Sequence, residues 1–357
     1  MPLIIDGGRV PTRWAEKGLP RPVSSEGRSR YGDCLRLALI NNMPDAALED
    51  TELQFFELLD AASGDTPVVI KLYSLTGVPR AERGQRHLNS FYFPFDDLWQ
   101  HKFDGAIITG TEPRYPTLQE EPYWGLMTEV FEWAERNTSS TILSCLAAHA
   151  SVFHADGVKR HPLPDKMFGV FDSIKKSKHA LTKSVTERIR FPHSRWNEVR
   201  AEELTAAGYS VLTHSKEAGV DLFVKKRKDS LFVHFQGHPE YGSQTLLKEY
   251  RRDIKRFLRG ERETYPTMPA GYFNSAADHL LGSFRKLALS DRREDIMNKF
   301  PDSQIVGELQ DNWRPAANQI YGSWLNYLCS ARGDWRSSFA LPQVEKPHLY
   351  LRGGEIA

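Results

Sequence analysis

The chain has 357 residues, 47 Lys and Arg against 46 Asp and Glu, a formal net charge of +1 and three cysteines. That length can hold one large domain or two around a sizeable core, and the near-zero charge argues neither for a nucleic-acid groove nor for a funnel for acidic substrates. Cys34, Cys145 and Cys329 lie far apart without CxxC spacing, which excludes a disulfide framework and a cysteine-based metal site and points to the reducing cytoplasm.

Residues 1–33, rich in Gly, Pro, Ser and Arg, read as an N-terminal arm, too broken for a signal peptide. No apolar run along the chain approaches membrane-spanning length. A strand is expected over 35–40, then the turn Asn41-Asn42-Met43-Pro44 and an amphipathic helix over 46–60 carrying Leu48, Phe55, Phe56, Leu58 and Leu59. Further strands are expected at 67–72 and 103–110, the second running into a loop over 111–116. A helix from about 122 to 136 leads to the apolar run Thr141-Ile142-Leu143-Ser144, which ends at Cys145. Strands alternating with helices of this length predict right-handed βαβ units, an α/β fold and a mostly parallel sheet flanked by helices. Function then belongs at the carboxyl ends of the strands, where Gly110 and Cys145 fall.

Four short runs at 188–191, 209–213, 222–226 and 230–235 read as added, partly antiparallel strands on the same sheet. A charged helix is expected over 243–259, a helix-like run over 276–288 after a Pro-containing loop, and a last helix over 313–329. The chain thus divides into the arm, one domain over 34–330 with an additional segment at about 275–312, and a polar C-terminal tail over 331–357.

Cys145 stands where a strand gives way to small residues that open a helix, the form of a nucleophile elbow. Unpaired N–H groups at such a helix start put partial positive charge beside the sulfur, and that of Leu146 can receive an oxyanion. A free cysteine alone is more often a small buried hydrophobe. The turn Gly237-His238-Pro239-Glu240 changes the balance, because it supplies a base in His238 and an orienting acid in Glu240 at the same end of the sheet. The order cysteine, then His-x-Glu, is that of class I glutamine amidotransferases.

A longer set of short runs sharpens this: Asn42-Met43-Pro44, Thr51-Glu52-x-Gln54-Phe55, His87-Leu88-Asn89-x-Phe91-Tyr92, Thr109-Gly110, Tyr123-Trp124, Pro192-His193-Ser194-Arg195, Gly237 to Tyr241, Glu249-Tyr250, Arg252-Asp253 and Trp324-Leu325-Asn326-Tyr327. In this order, over about 35–328, the chain resembles the bacterial homoserine O-succinyltransferase (homoserine O-acyltransferase) family. The resemblance implies a class I glutamine-amidotransferase-like, flavodoxin-like domain, a homodimer, and ping-pong acyl transfer from acyl-coenzyme A, with no bound cofactor or metal. It implies that Cys145 carries the acyl group, that His238 is the general base and Glu240 its partner. Lys166, Ser194 and Arg252 match substrate-binding positions, Arg252 that of the amino-acid carboxylate. Arg114 falls where the family carries a small residue with succinyl donors and glutamate with acetyl donors. Arginine there suits an acidic acyl group, so succinyl-coenzyme A is the expected donor, with homoserine or an analogue such as serine as acceptor. The neighbours Leu146-Ala147-Ala148-His149 and the loop Thr111-Glu112-Pro113-Arg114-Tyr115 depart from the family pattern. The second reading is an amidotransferase-like amidase or hydrolase, in which water or ammonia replaces the hydroxyl.

Overall fold

The computed structural model describes residues 3–7, 16 and 34–336. Its frame is an eight-stranded sheet in the order β1-β3-β2-β4-β5-β12-β11-β8. These strands are β1 (Leu3–Ile5), β2 (Leu35–Ile40), β3 (Val68–Tyr73), β4 (Gly105–Ile108), β5 (Ser140–Ser144), β8 (Ser210–Val211), β11 (Leu222–Arg227) and β12 (Ser230–Phe235). From β1 to β12 every pairing is parallel; β11 and β8 are antiparallel additions at one edge. The α/β expectation is met. The helices are α1 (Asp45–Ser63), α2 (Glu82–Phe91), α3 (Asp96–Trp99), α4 (Trp124–Asn137), α5 (Leu146–Asp156), α6 (Ala201–Ala206), α7 (Thr245–Leu258), α8 (Ser275–Ser290), α9 (Asp302–Val306) and α10 (Arg314–Arg336). They cover both faces of a sheet whose central strands are apolar on both sides, as burial on both faces requires. One face packs Leu37, Leu39, Ile107 and Ile142 with α1, α7 and α10; the other packs Ala38, Ile108 and Leu143 with α4 and α5.

A second sheet, β10-β9-β6-β7, is antiparallel throughout and separate from the first: β6 (His161–Lys175), β7 (Arg188–Glu198), β9 (Thr213–Ser215) and β10 (Gly219–Val220). This corrects the expectation of one sheet. The run at 188–191 opens β7 of the second sheet, and the run at 209–213 is divided between the sheets at buried Leu212. Leu212 takes a hydrogen bond from Lys176, just past the end of β6, and gives one to Leu222 of β11. The long β6 escaped sequence reading because Pro162 and Pro164 sit in its first half, where its register against β7 is irregular. At Gly169, with φ +146°, an added Cβ would lie 2.2 Å from the carbonyl oxygen of Ala270, so only glycine admits that crossing chain.

Leu3–Ile5 of the expected arm forms the outermost strand, parallel to β3. The last helix continues to Arg336, past the expected start of the tail, and Arg332 Nε donates to Asp104 Oδ1 at 2.9 Å. The rest of the arm apart from Asp6, Gly7 and Glu16, and the tail from 337, lie outside the described residues. The segment at 275–312 contributes Phe284, Ile296, Phe300 and Ile305 to the main core. Among the described residues no helix is long and apolar enough to cross a membrane.

Candidate active site

Strand order puts the chemistry at the middle of the sheet. β2 and β4 lie side by side although the chain visits β3 between them, so their carboxyl ends flank a crevice where the connections diverge. Asn42 after β2 and Thr109 after β4 close its floor: the Asn42 N–H donates to Thr109 Oγ1 at 2.8 Å and its amide to Thr109 O at 3.1 Å. β5 is next in line, and its parallel partner β12 matches Phe235 with Ser144. Cys145 N donates to Phe235 O at 2.8 Å, the last rung before both chains turn.

Cys145 adopts φ 52° and ψ −111°, a left-handed backbone that L-residues avoid at a cost of roughly 1–3 kcal/mol. The strain aims the side chain out of the strand end at the mouth of α5, whose first turn leaves the Leu146 N–H without an acceptor among the described residues. Gly110 presses against this turn, and a Cβ there would meet Leu146 N at 2.9 Å and Leu146 Cβ at 2.6 Å. Glycine at 110 therefore lets the loop approach the Leu146 N–H. Of the other cysteines, Cys34 is buried and Cys329 exposed.

His238 and Glu240 are both buried, and His238 Nδ1 stands 2.8 Å from Glu240 Oε1. A carboxylate only accepts, so Nδ1 carries the proton and Nε2 is left for Cys145, with which the ring is in hydrogen-bond contact. Ser144 Oγ also donates to Glu240 Oε1, at 3.3 Å. Burial disfavours an imidazolium here, but the Glu240 carboxylate and then the Cys145 sulfur outweigh it and raise the His238 pKa well above its ordinary value. Arg195, buried on β7, adds a positive charge felt by the same sulfur. The three residues singled out from sequence are thus brought together at the carboxyl ends of β5 and β12.

Lys166, Ser194 and Arg252 also converge, on a residue that sequence reading passed over. Ser194 Oγ donates to Glu249 Oε2 at 2.5 Å, Lys166 Nζ lies 3.2 Å from the same oxygen, and Arg252 Nη2 lies 3.9 Å from it. Asp253 adds a second carboxylate, 3.4 Å from Lys166 Nζ and 3.2 Å from Arg252 Nε. Glu249 is desolvated, which disfavours its charge, yet Lys166 and the hydroxyls of Ser194 and Tyr241 outweigh this and lower its pKa. Tyr241 joins this cluster to the dyad: its ring stacks on His238 at 4.2 Å, and its hydroxyl donates to Glu249 Oε1 at 2.7 Å. Glu249 and Tyr241 stood among the matching runs, but nothing in the local pattern separates a hub from an ordinary helix residue. Lys166 lies within β6, at its irregular stretch. Arg114 is apart from both clusters. Its side chain is exposed on the loop after β4, while its N–H is held by Glu121 Oε1 at 2.5 Å.

Behind the turn Gly237–Glu240 lies Asp221, fully buried, accepting from Gly237 N at 2.9 Å. Burial raises its pKa from 3.8 to about 6, against the opposing effects of the Gly237 N–H and Arg195. Between about pH 4 and 6 the unfolded chain loses this proton first, so the native state binds more protons and the group removes stability as pH rises through that window. Asp221→Asn keeps an acceptor for Gly237 without the charge. Its stability relative to the parent is expected to improve from pH 4 to pH 7 by at most roughly 3 kcal/mol, read by thermal melts. A difference that does not change with pH contradicts this.

Compared with known proteins, residues 23–334 match the family model described as homoserine O-succinyltransferase. A protein of that name from Rhodopseudomonas palustris is 42% identical over 306 residues, 86% of this chain and 92% of its own. One from Methylorubrum extorquens is 40% identical over 291 residues, 82% of this chain and 86% of its own. Among solved structures, a glutamine amidotransferase from Methylobacillus flagellatus aligns over 83% of this chain and 95% of its own, with TM-score 0.44 and 12% identity.

Proposed function

The chain belongs to the homoserine O-succinyltransferase family, an acyltransferase family, and from that premise we propose that it moves a succinyl group from succinyl-coenzyme A to the hydroxyl of homoserine through a thioester on Cys145. The observation that carries the reading is the strained Cys145 elbow facing the 2.8 Å His238–Glu240 pair, with a charge-balanced cluster of side chains joined to it through Tyr241.

In the first half-reaction the Cys145 thiolate attacks the thioester carbonyl. The Leu146 N–H steadies the oxyanion, the bond to the coenzyme A sulfur breaks, and the departing thiolate takes the proton from His238 Nε2. In the second, neutral His238 removes the hydroxyl proton of homoserine as its oxygen attacks the Cys145 thioester, and the regenerated thiolate is left beside an imidazolium. Glu240 holds the ring in the tautomer both steps need and stabilises its positive charge.

The pocket sets two cations, Lys166 and Arg252, against two carboxylates, Glu249 and Asp253. That balance suits a zwitterion. Arg252 receives the α-carboxylate with its planar fork, Glu249 and Asp253 face the ammonium, and Ser194 and Lys166 shape the wall. A hydrolase has no use for such a pocket. Arg114 takes the succinyl carboxylate from its exposed loop. The enzyme acts in the cytoplasm as a homodimer, as the family resemblance implies, and feeds sulfur amino-acid synthesis.

Purified protein assayed with succinyl- and acetyl-coenzyme A against homoserine, serine and water tests the whole reading. O-succinylhomoserine as the main product supports it, and donor hydrolysis as the main reaction in the presence of homoserine overturns it. Arg252→Lys keeps the charge but loses the fork, so KM for homoserine is expected to rise about tenfold or more, with acylation of Cys145 unchanged. Loss of the acylation half-reaction instead contradicts a role in acceptor binding.

A further inference from the structure

The solvent face of α7 carries a charge pattern that the acyl-transfer chemistry does not use. Lys248, Arg252, Lys255, Arg256 and Arg259 recur at intervals of three and four, so they share one side of the helix. With Arg251 and Glu261 they line an open cavity of about 360 Å³: six cations and one carboxylate. Several of these cations have partners nearby. Lys248 pairs with Asp50 at 2.7 Å, Arg251 with Asp302 at 2.8 Å, and Arg259 with Glu294 at 2.5 Å. Arg252 is engaged by Glu249 and Asp253, as described above. Arg256 has only a distant carboxylate, Glu112 at 3.9 Å, and both groups are exposed; such a pair holds little energy. The Lys255 side chain has no hydrogen bond or ion pair within 4.0 Å among the described residues, and its charge is felt only at a distance by Glu294. The cations in the middle of the cavity are therefore the ones with capacity to spare.

The position of this cavity is informative. Arg252 belongs both to it and to the acceptor pocket. Glu112, which faces Arg256, lies on the loop that starts at Gly110, and Gly110 is packed on the Leu146 end of α5. Nucleophile, loop and basic face are thus linked by direct contacts.

We propose that this basic face of α7 binds the phosphates of the acyl donor's nucleotide, the 3′-phosphate and diphosphate of coenzyme A, with Lys255 and Arg256 as the main contacts. The inference rests on the coenzyme A thioester being the donor. The pantetheine arm then runs beneath the loop 111–116 to present its thioester at Cys145, and Glu112 gives up Arg256 to a phosphate. Lysine and arginine are the side chains that take phosphate oxygens, by point charge and by planar fork respectively.

Two probes test it: adenosine 3′,5′-bisphosphate binding measured by calorimetry, and turnover with succinyl-coenzyme A against succinyl-pantetheine, which lacks the nucleotide. The parent is expected to bind the bisphosphate, and Lys255→Glu and Arg256→Glu each to weaken it about tenfold. The same variants are expected to raise KM for succinyl-coenzyme A about tenfold, leave its kcat unchanged, and turn over succinyl-pantetheine as the parent does. Absence of bisphosphate binding to the parent overturns the proposal, and so does an equal loss with both donors. Bisphosphate bound at the groove while neither donor acylates the parent supports the groove and overturns the donor chemistry, so the two failures are distinct.

Discussion

Cys145→Ala is expected to abolish succinyl transfer and to leave no acyl group on the protein after incubation with the donor. In the proposed mechanism every covalent step passes through this sulfur, which stands at φ 52° on the elbow between β5 and α5. Without it, direct attack of homoserine on the thioester has no covalent path, and its hydroxyl is a far weaker nucleophile than a thiolate. Cys145→Ser retains the shape but replaces sulfur with a far weaker oxygen nucleophile, so it is expected to fall to the same level. Substitutions at Cys34 and Cys329 serve as controls, the one buried away from the site and the other exposed on α10. Kinetics and intact mass read the outcome together. An acyl adduct that survives Cys145→Ala rules out the elbow as the nucleophile.

His238→Ala is the second large effect, a fall in kcat/KM of about 10²–10⁴-fold, the range for a positioned acid–base group. In the proposed mechanism the imidazole acts twice, protonating the departing coenzyme A and deprotonating the acceptor. Glu240→Ala is expected to cost less, because Glu240 orients and stabilises without transferring a proton. Its signature lies in pH. The Glu240 carboxylate raises the His238 pKa, so its removal lowers that pKa, and the imidazolium is lost at a lower pH than in the parent. The basic limb of the acylation profile therefore moves down in Glu240→Gln. The linkage sign agrees: the stability that His238 draws from Glu240 is present below its unfolded value and lost as pH rises through the raised folded one. A His238→Ala enzyme with parental activity at neutral pH contradicts the dyad, and an unmoved basic limb in Glu240→Gln contradicts its electrostatic part.

The parallel half of the fold was readable because its strands are short apolar runs separated by helices of ordinary amphipathic spacing. Ile107, Ile142 and Phe235 announce themselves by composition, and the elbow by the change from β-branched residues to Leu146-Ala147-Ala148. The second sheet was not readable. In β6 the apolar alternation is interrupted by Pro162, Pro164 and Asp165, and whether β7 joins one sheet or another depends on pairing between distant parts of the chain, which no local window contains. Helix α2 escaped because its sole buried residue is Gly84. The same distinction applies at the site. Cys145, His238 and Glu240 lie on local motifs, a strand end and a tight turn. Glu249 becomes a hub only once β6, β7 and α7 bring Lys166, Ser194 and Tyr241 around it. Asp221 is likewise an ordinary residue at a strand start until the fold places it under Gly237.

The most direct measurement is the acyl-enzyme itself. The parent protein, incubated with succinyl-coenzyme A and no acceptor, is digested and mapped by mass spectrometry. One succinyl group is expected, on the peptide containing Cys145, and it should disappear as O-succinylhomoserine forms when homoserine is added. A succinyl group on any other residue, or turnover at full rate with Cys145 never modified, would contradict the account.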